Sequence, residues 1–221
     1  MKGLLSPNSP VMAAVAFVGN ILLINAMWLL CCLPVFTIGA STCAMYSVMM
    51  KLLRGKDPTV WTAFFRAFGQ NFKHATYIFL LFLIPGAFIL ADCWILISGV
   101  LANSSFLVNL VQIFTLIPAA CLLILGTYAF PLTALFENTV KGTLKNAVYF
   151  ALMKLPYTIV MATVNILPLL LLYLVPQLFV LLLFPLLVAW GALSALVNCV
   201  VLRKLLYPYL SEDPQDIPTV D

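Results

Sequence analysis

Asp92 is the residue of this chain best placed to do proton or cation chemistry inside a membrane. It is the only acid between residues 74 and 136, and it lies within an apolar run. An ionised carboxylate in hydrocarbon is costly, so such a group faces a bundle interior, pairs, or keeps its proton. One reading makes Asp92 a proton- or cation-linked site. The other makes it a helix-packing hydrogen bond near the outer end of its span. Asn20, Asn25, Gln112, Asn165 and Asn198 lie in further apolar runs. Each can hydrogen-bond to a neighbouring helix, worth about 0.6–2 kcal/mol in a membrane. Gathered together they would make a polar pocket, but sequence alone does not bring them together.

Other chemistry is hard to find. His74 is the only histidine, and no His or Cys stands beside it at metal-ligand spacing. The cysteines, at 31, 32, 43, 93, 121 and 199, sit in or beside apolar runs and read as small apolar residues of helices. No phosphate-binding glycine loop, G-x-S-x-G elbow or H-E-x-x-H pair occurs. The expectation is a non-enzymatic protein with no catalytic residue, cofactor or metal.

The elements that position these residues follow from where charge is absent. Residues 3–50 and 155–202 carry none, charged residues make up 8% of the 221, and mean hydropathy is +1.13. A soluble domain carries about 25%. The fold class expected is all-α: a polytopic transmembrane helical bundle of about six spans, with a short amphipathic interfacial helix. Only helices or closed barrels satisfy their backbone in lipid, and these runs are too long for barrel strands. Hydropathy places spans at about 11–33, 37–53, 75–99, 106–135, 147–173 and 178–202, within a single membrane domain over 1–210. Residues 211–221 read as a flexible acidic tail. The first run is too long for a signal-peptide core and no small-residue cleavage site follows it, so it is expected to remain as a span.

Charge then sets orientation. Lys and Arg fall at 2, at 51, 54, 56, 66 and 73, at 141, 145 and 154, and at 203 and 204. With six spans these groups all lie on or near one side, and the loops near 35, 103 and 176 hold none. The positive-inside rule puts both termini in the cytoplasm of a cell-membrane protein. The same cations suit anionic headgroups rather than nucleic acid. Span 2 is short and rich in small residues, so it either crosses or is re-entrant; Ala40/Ala44 and Gly191/Ala195 give faces for close packing. Lys154 reads as a cation snorkelling to the cytoplasmic headgroups.

Residues 58–72 read as the interfacial helix, with Asp57 as N-cap and Pro58 at the first position. Trp61, Phe64, Phe65, Phe68 and Phe72 share a face, and Arg66, Gln70 and Lys73 fall largely away from it. Aromatics on one side and cations on the other suit a lipid interface. The face is either a depth anchor or a docking surface for a partner. Residues 71–77 and 143–149 resemble each other weakly, as two basic loop-to-span junctions would.

One segment carries a family resemblance. Asn25-x-x-Trp28, Leu33-Pro34-Val35-Phe36-Thr37-Ile38-Gly39-Ala40, Ala44-x-Tyr46, and Phe64-Phe65-Arg66-Ala67-Phe68 with Asn71-Phe72-Lys73 resemble the YesL family, over roughly residues 20–75. These are small multi-span proteins of Gram-positive bacteria, often encoded beside sugar-uptake ABC transporters and glycoside hydrolases. The resemblance implies a carbohydrate-uptake setting and no catalytic residues. Within the motif, Pro34 ends a span, Thr37 can cap the next, and Gly39 permits close helix approach. The function expected is an accessory or regulatory component beside ABC transporter membrane subunits. The alternative is a small independent transporter or channel with Asp92 as its site. A homo-oligomer is left open.

Overall fold

The computed structural model describes residues 10–56, 59–98 and 105–206. Asp57, Pro58, the turn at 103–104 and the tail at 211–221 lie outside them. The described chain is helical: α1 (Pro10–Cys32), a 3-10 turn (Val35–Thr37), α2 (Ile38–Leu53), α3 (Val60–Ile97), α4 (Ser105–Leu135), α5 (Val140–Met153), α6 (Leu155–Leu174), α7 (Pro176–Pro185), a π turn (Leu186–Trp190) and α8 (Gly191–Leu206). Six segments are long and apolar enough to cross a membrane: 11–32, 35–53, 60–95, 108–135, 155–174 and 176–206. The chain is an all-α, multi-pass membrane protein.

Three boundaries differ from the sequence reading. The interfacial helix at 58–72 and the span at 75–99 are one helix, because α3 runs unbroken for 38 residues. Nothing in Phe72-Lys73-His74-Ala75-Thr76 stops a helix; no Gly or Pro falls there. The span read at 147–173 is two helices, broken at Lys154 (φ −126°, ψ 47°). Pro156 explains the break, since it has no N–H to bond back to Leu152 O and its ring would clash with that carbonyl in a continuous helix. The last span is longer than 178–202 and is interrupted by the π turn.

The centre of the bundle is α2, whose residues from Gly39 to Met50 are buried apart from Thr42. It packs on the first half of α3. Gly39 sits so tightly on Ala75 and Phe79 that an added Cβ would meet the Ala75 carbonyl and lie 2.8 Å from the Phe79 Cβ. Ala40, Cys43 and Ala75 form a small cluster covered by Phe68, Phe72, Phe130 and Ala134. The aromatic face of α3 is therefore divided. Phe64 is fully buried and Phe68 and Phe72 are half-buried, whereas Trp61 and Phe65 remain exposed, their rings 4.9 Å apart. The buried part of that face meets α2 rather than lipid. Arg66 and Lys73 are exposed, as expected.

At the basic end, Gly55 (φ 73°) adopts the left-handed conformation that closes α2, with Lys56 N donating to Lys51 O at 3.2 Å. Arg203 of α8 donates to Leu53 O at 2.7 Å, placing a cation on the free carbonyls of the α2 C-terminus. At the other end of α2, Thr37 is the N-cap residue, but its side chain does not cap the helix as expected. Its hydroxyl proton is instead shared between Cys31 O (2.5 Å) and Pro34 O (2.6 Å), closing the turn from α1.

Candidate functional site

Four helices meet at one polar chain. Asn198 of α8 donates from Nδ2 to Tyr46 Oη of α2 and to Asn165 Oδ1 of α6, both at 2.9 Å. Asn165 Nδ2 donates in turn to Thr127 Oγ1 of α4 at 3.0 Å, and Thr127 gives its proton to Leu123 O. Asn198 is fully buried and Asn165 half-buried. Both amide protons of Asn198 are used, and its Oδ1 is buried without a protein partner. A second pair lies beside the chain. Thr158 bonds back to Ala151 O, so Tyr128 Oη donates to Thr158 Oγ1 at 2.8 Å.

All the groups in this chain are neutral. What the arrangement can do is fix four helices in one register. Asn198→Leu would leave Tyr46 Oη and Asn165 Oδ1 without their bonds at a buried site. A loss of about 1–3 kcal/mol is expected, read as a shift of the SDS-unfolding midpoint. An unmoved midpoint would show the chain to be energetically idle.

Asn25 makes a different contact. Ala192 N donates to Asn25 Oδ1 at 2.9 Å, and Asn25 Nδ2 donates to Leu187 O (3.0 Å) and Val188 O (2.7 Å). The side-chain amide of α1 thus clamps the π turn to the start of α8. Gly191 makes room for it. A Cβ there would lie 2.7 Å from Asn25 Oδ1 and 2.8 Å from the Trp28 ring. Trp28 is itself held by Nε1 donating to Thr42 Oγ1 at 3.2 Å.

Asp92 stands apart from both networks. It is half-buried near the end of α3, where Thr115 Oγ1 of α4 lies 3.3 Å from Oδ2. Thr115 also bonds its own Val111 O at 2.8 Å, so the contact with Asp92 is the weaker of the two. Asn20 is half-buried and Gln112 exposed, and neither joins a network described above. Of the amides singled out by sequence, the structure brings Asn165 and Asn198 together and gives Asn25 a separate role. Tyr46 and Thr127 were missed as their partners. Tyr46 is visible only as part of the family-like motif, and a single Thr in an apolar run gives no signal. Among the described residues, no group of three or more His, Cys, Asp or Glu could hold a metal ion.

Comparison with known proteins gives one match. No curated protein and no solved structure matches the chain. Residues 21–93 match a family described as "Protein of unknown function, DUF624". That segment contains Asn25, Pro34, Thr37, Gly39, Tyr46 and Asp92, and the aromatic face of α3. It stops short of Asn165, Asn198 and the π turn.

Proposed function

We propose that this chain is a non-enzymatic accessory or regulatory membrane component of a carbohydrate-uptake system, working beside ABC transporter membrane subunits. The observation that carries this reading is how the intramembrane polar groups are spent. Asn25, Asn165, Asn198, Tyr46 and Thr127 bond to one another or to backbone, which favours a rigid scaffold over a solute path. Trp61 and Phe65 offer an exposed aromatic pair beside Arg66 on the basic end, where a partner subunit can dock. The sugar-uptake setting rests on the resemblance of residues 20–75 to the YesL family. The basic residues put both termini in the cytoplasm by the positive-inside rule.

Affinity purification of the tagged protein from native membranes in mild detergent tests the proposal. Stoichiometric recovery of an ABC transporter's membrane subunits is the expected result. Recovery of this chain alone, as a monomer or homo-oligomer, would argue against it. The rival reading, an independent transporter, draws on Asp92 facing Thr115 across α3 and α4. On the accessory reading, Asp92→Asn leaves stability and complementation unchanged within about 0.5 kcal/mol and twofold respectively. Loss of proton-linked solute flux in proteoliposomes carrying only this protein would favour the transporter.

A further inference from the structure

The end of α6 and all of α7 form a hairpin that the rest of the molecule does not hold. Asn165 is the last residue of α6 whose side chain bonds to another helix. From Ile166 to Pro185 no residue is buried, and no side chain bonds to another element. α7 packs on α6 and on the π turn that follows it. Leu169, Tyr173, Val180, Leu181 and Phe184 are all exposed. In water such a surface would drive the hairpin onto the bundle. In a bilayer it does not, because lipid tails are as apolar as leucine. Close packing and hydrogen bonds fix a helix in lipid, and this hairpin has neither beyond its own limbs and the π turn.

Each limb also carries a flaw where its anchorage ends. On α6 the anchored residue is Asn165, and Pro168 follows within a turn. On the last span the anchored residues are Leu187 and Val188, whose carbonyls accept from Asn25, and Pro185 precedes them within a turn. Proline has no N–H, so the helix ladder lacks a donor at each site. The π turn adds a change of winding beside Pro185. Sharp bends in helices fall at prolines and at π turns. One proline in a packed helix marks a static kink. Here one lies on each limb, next to the last fixed residue, so both limbs can bend at the same end of the hairpin.

We infer that residues 169–184 form a hinged arm, which swings on Pro168 and Pro185 while the amides of Asn165 and Asn25 hold its two roots. The four-helix polar chain and the α2–α3 contact stay fixed in this motion, since none of their residues lies in the arm. Swinging moves the arm within lipid and breaks no side-chain hydrogen bond to the body. This inference does not depend on the accessory role.

The test uses the full-length protein in lipid nanodiscs, with Cys31, Cys32, Cys93 and Cys121 replaced by serine; the buried Cys43 and Cys199 stay. Electron–electron double resonance measures the distance between two nitroxides. Gly69→Cys on α3 with Leu181→Cys gives the distance from body to arm. Gly69→Cys with Val200→Cys on α8 is the reference within the body, and all three sites are exposed. The expected body-to-arm distribution is wider than the reference, or two-peaked. Pro168→Ala with Pro185→Ala restores both donors and should narrow it to the reference width. A body-to-arm distribution as narrow as the reference with both prolines present would overturn the inference. A wide one that both alanines leave unchanged would overturn it equally, since the bending would then lie elsewhere. If the double variant does not reach the membrane, Pro185→Ala alone decides between partial narrowing, as expected, and none.

Discussion

Asn25→Ala is expected to be among the most damaging single substitutions in this protein, at about 2–4 kcal/mol. The alanine removes one acceptor and two donations at once, taking the Asn25 bonds from Ala192 N–H, Leu187 O and Val188 O. Pro185, just before the π turn, offers no N–H, and Trp28 packs against Gly191, so the segment has little room to rewind. Asn25→Asp should not rescue stability. It keeps an acceptor for Ala192 N–H but sets a second oxygen against two carbonyl oxygens. SDS titration of the purified variants, followed by tryptophan fluorescence, gives the comparison. A loss under about 0.5 kcal/mol for Asn25→Ala would mean that water or local rewinding replaces the amide easily.

Gly39→Ala is expected to lose about 2–3 kcal/mol, against the usual sign for a helical glycine. In an open helix this exchange stabilises by about 1 kcal/mol. Here the new methyl meets the Ala75 carbonyl and the Phe79 Cβ, and neither is the free end of a flexible side chain. The helices must separate, which loosens the Ala40, Cys43 and Ala75 cluster. Gly69 provides the control: nothing lies within 4 Å of an added Cβ there, so Gly69→Ala should be neutral or stabilising. Equal effects at the two positions would show that the α2–α3 contact is looser than its geometry.

The comparison of the two glycines shows what sequence could and could not foresee. Spans, turns and their order are legible because apolar runs longer than 18 residues have few other folds in water or lipid. The turn at Val175-Pro176 falls where α6 ends and α7 begins, and Ala40, Ala44 and Ala195 are fully buried, as their small-residue spacing suggests. The spacing of Phe64, Phe68 and Phe72 correctly marks one face, yet that face meets α2. An apolar stripe in a membrane protein looks the same whether lipid or another helix covers it. The break at Lys154 had a local signal in Pro156 that hydropathy averages away. Asn25, Asn165 and Asn198 stand out because an amide in an apolar run needs a partner. Which partner depends on helix depth, and no local pattern encodes depth.

The buried thiols give the molecule a reporter of its own opening. Cys43 and Cys199 are enclosed, the first against Phe130 O and the second against Tyr46 O. Cys121 is exposed on α4. A small permeable alkylator should therefore modify Cys121 in the intact bundle and reach the other two only when α2 parts from α4 or α8. The rate at which mass spectrometry finds Cys43 and Cys199 modified would time the breathing of the core without any introduced label.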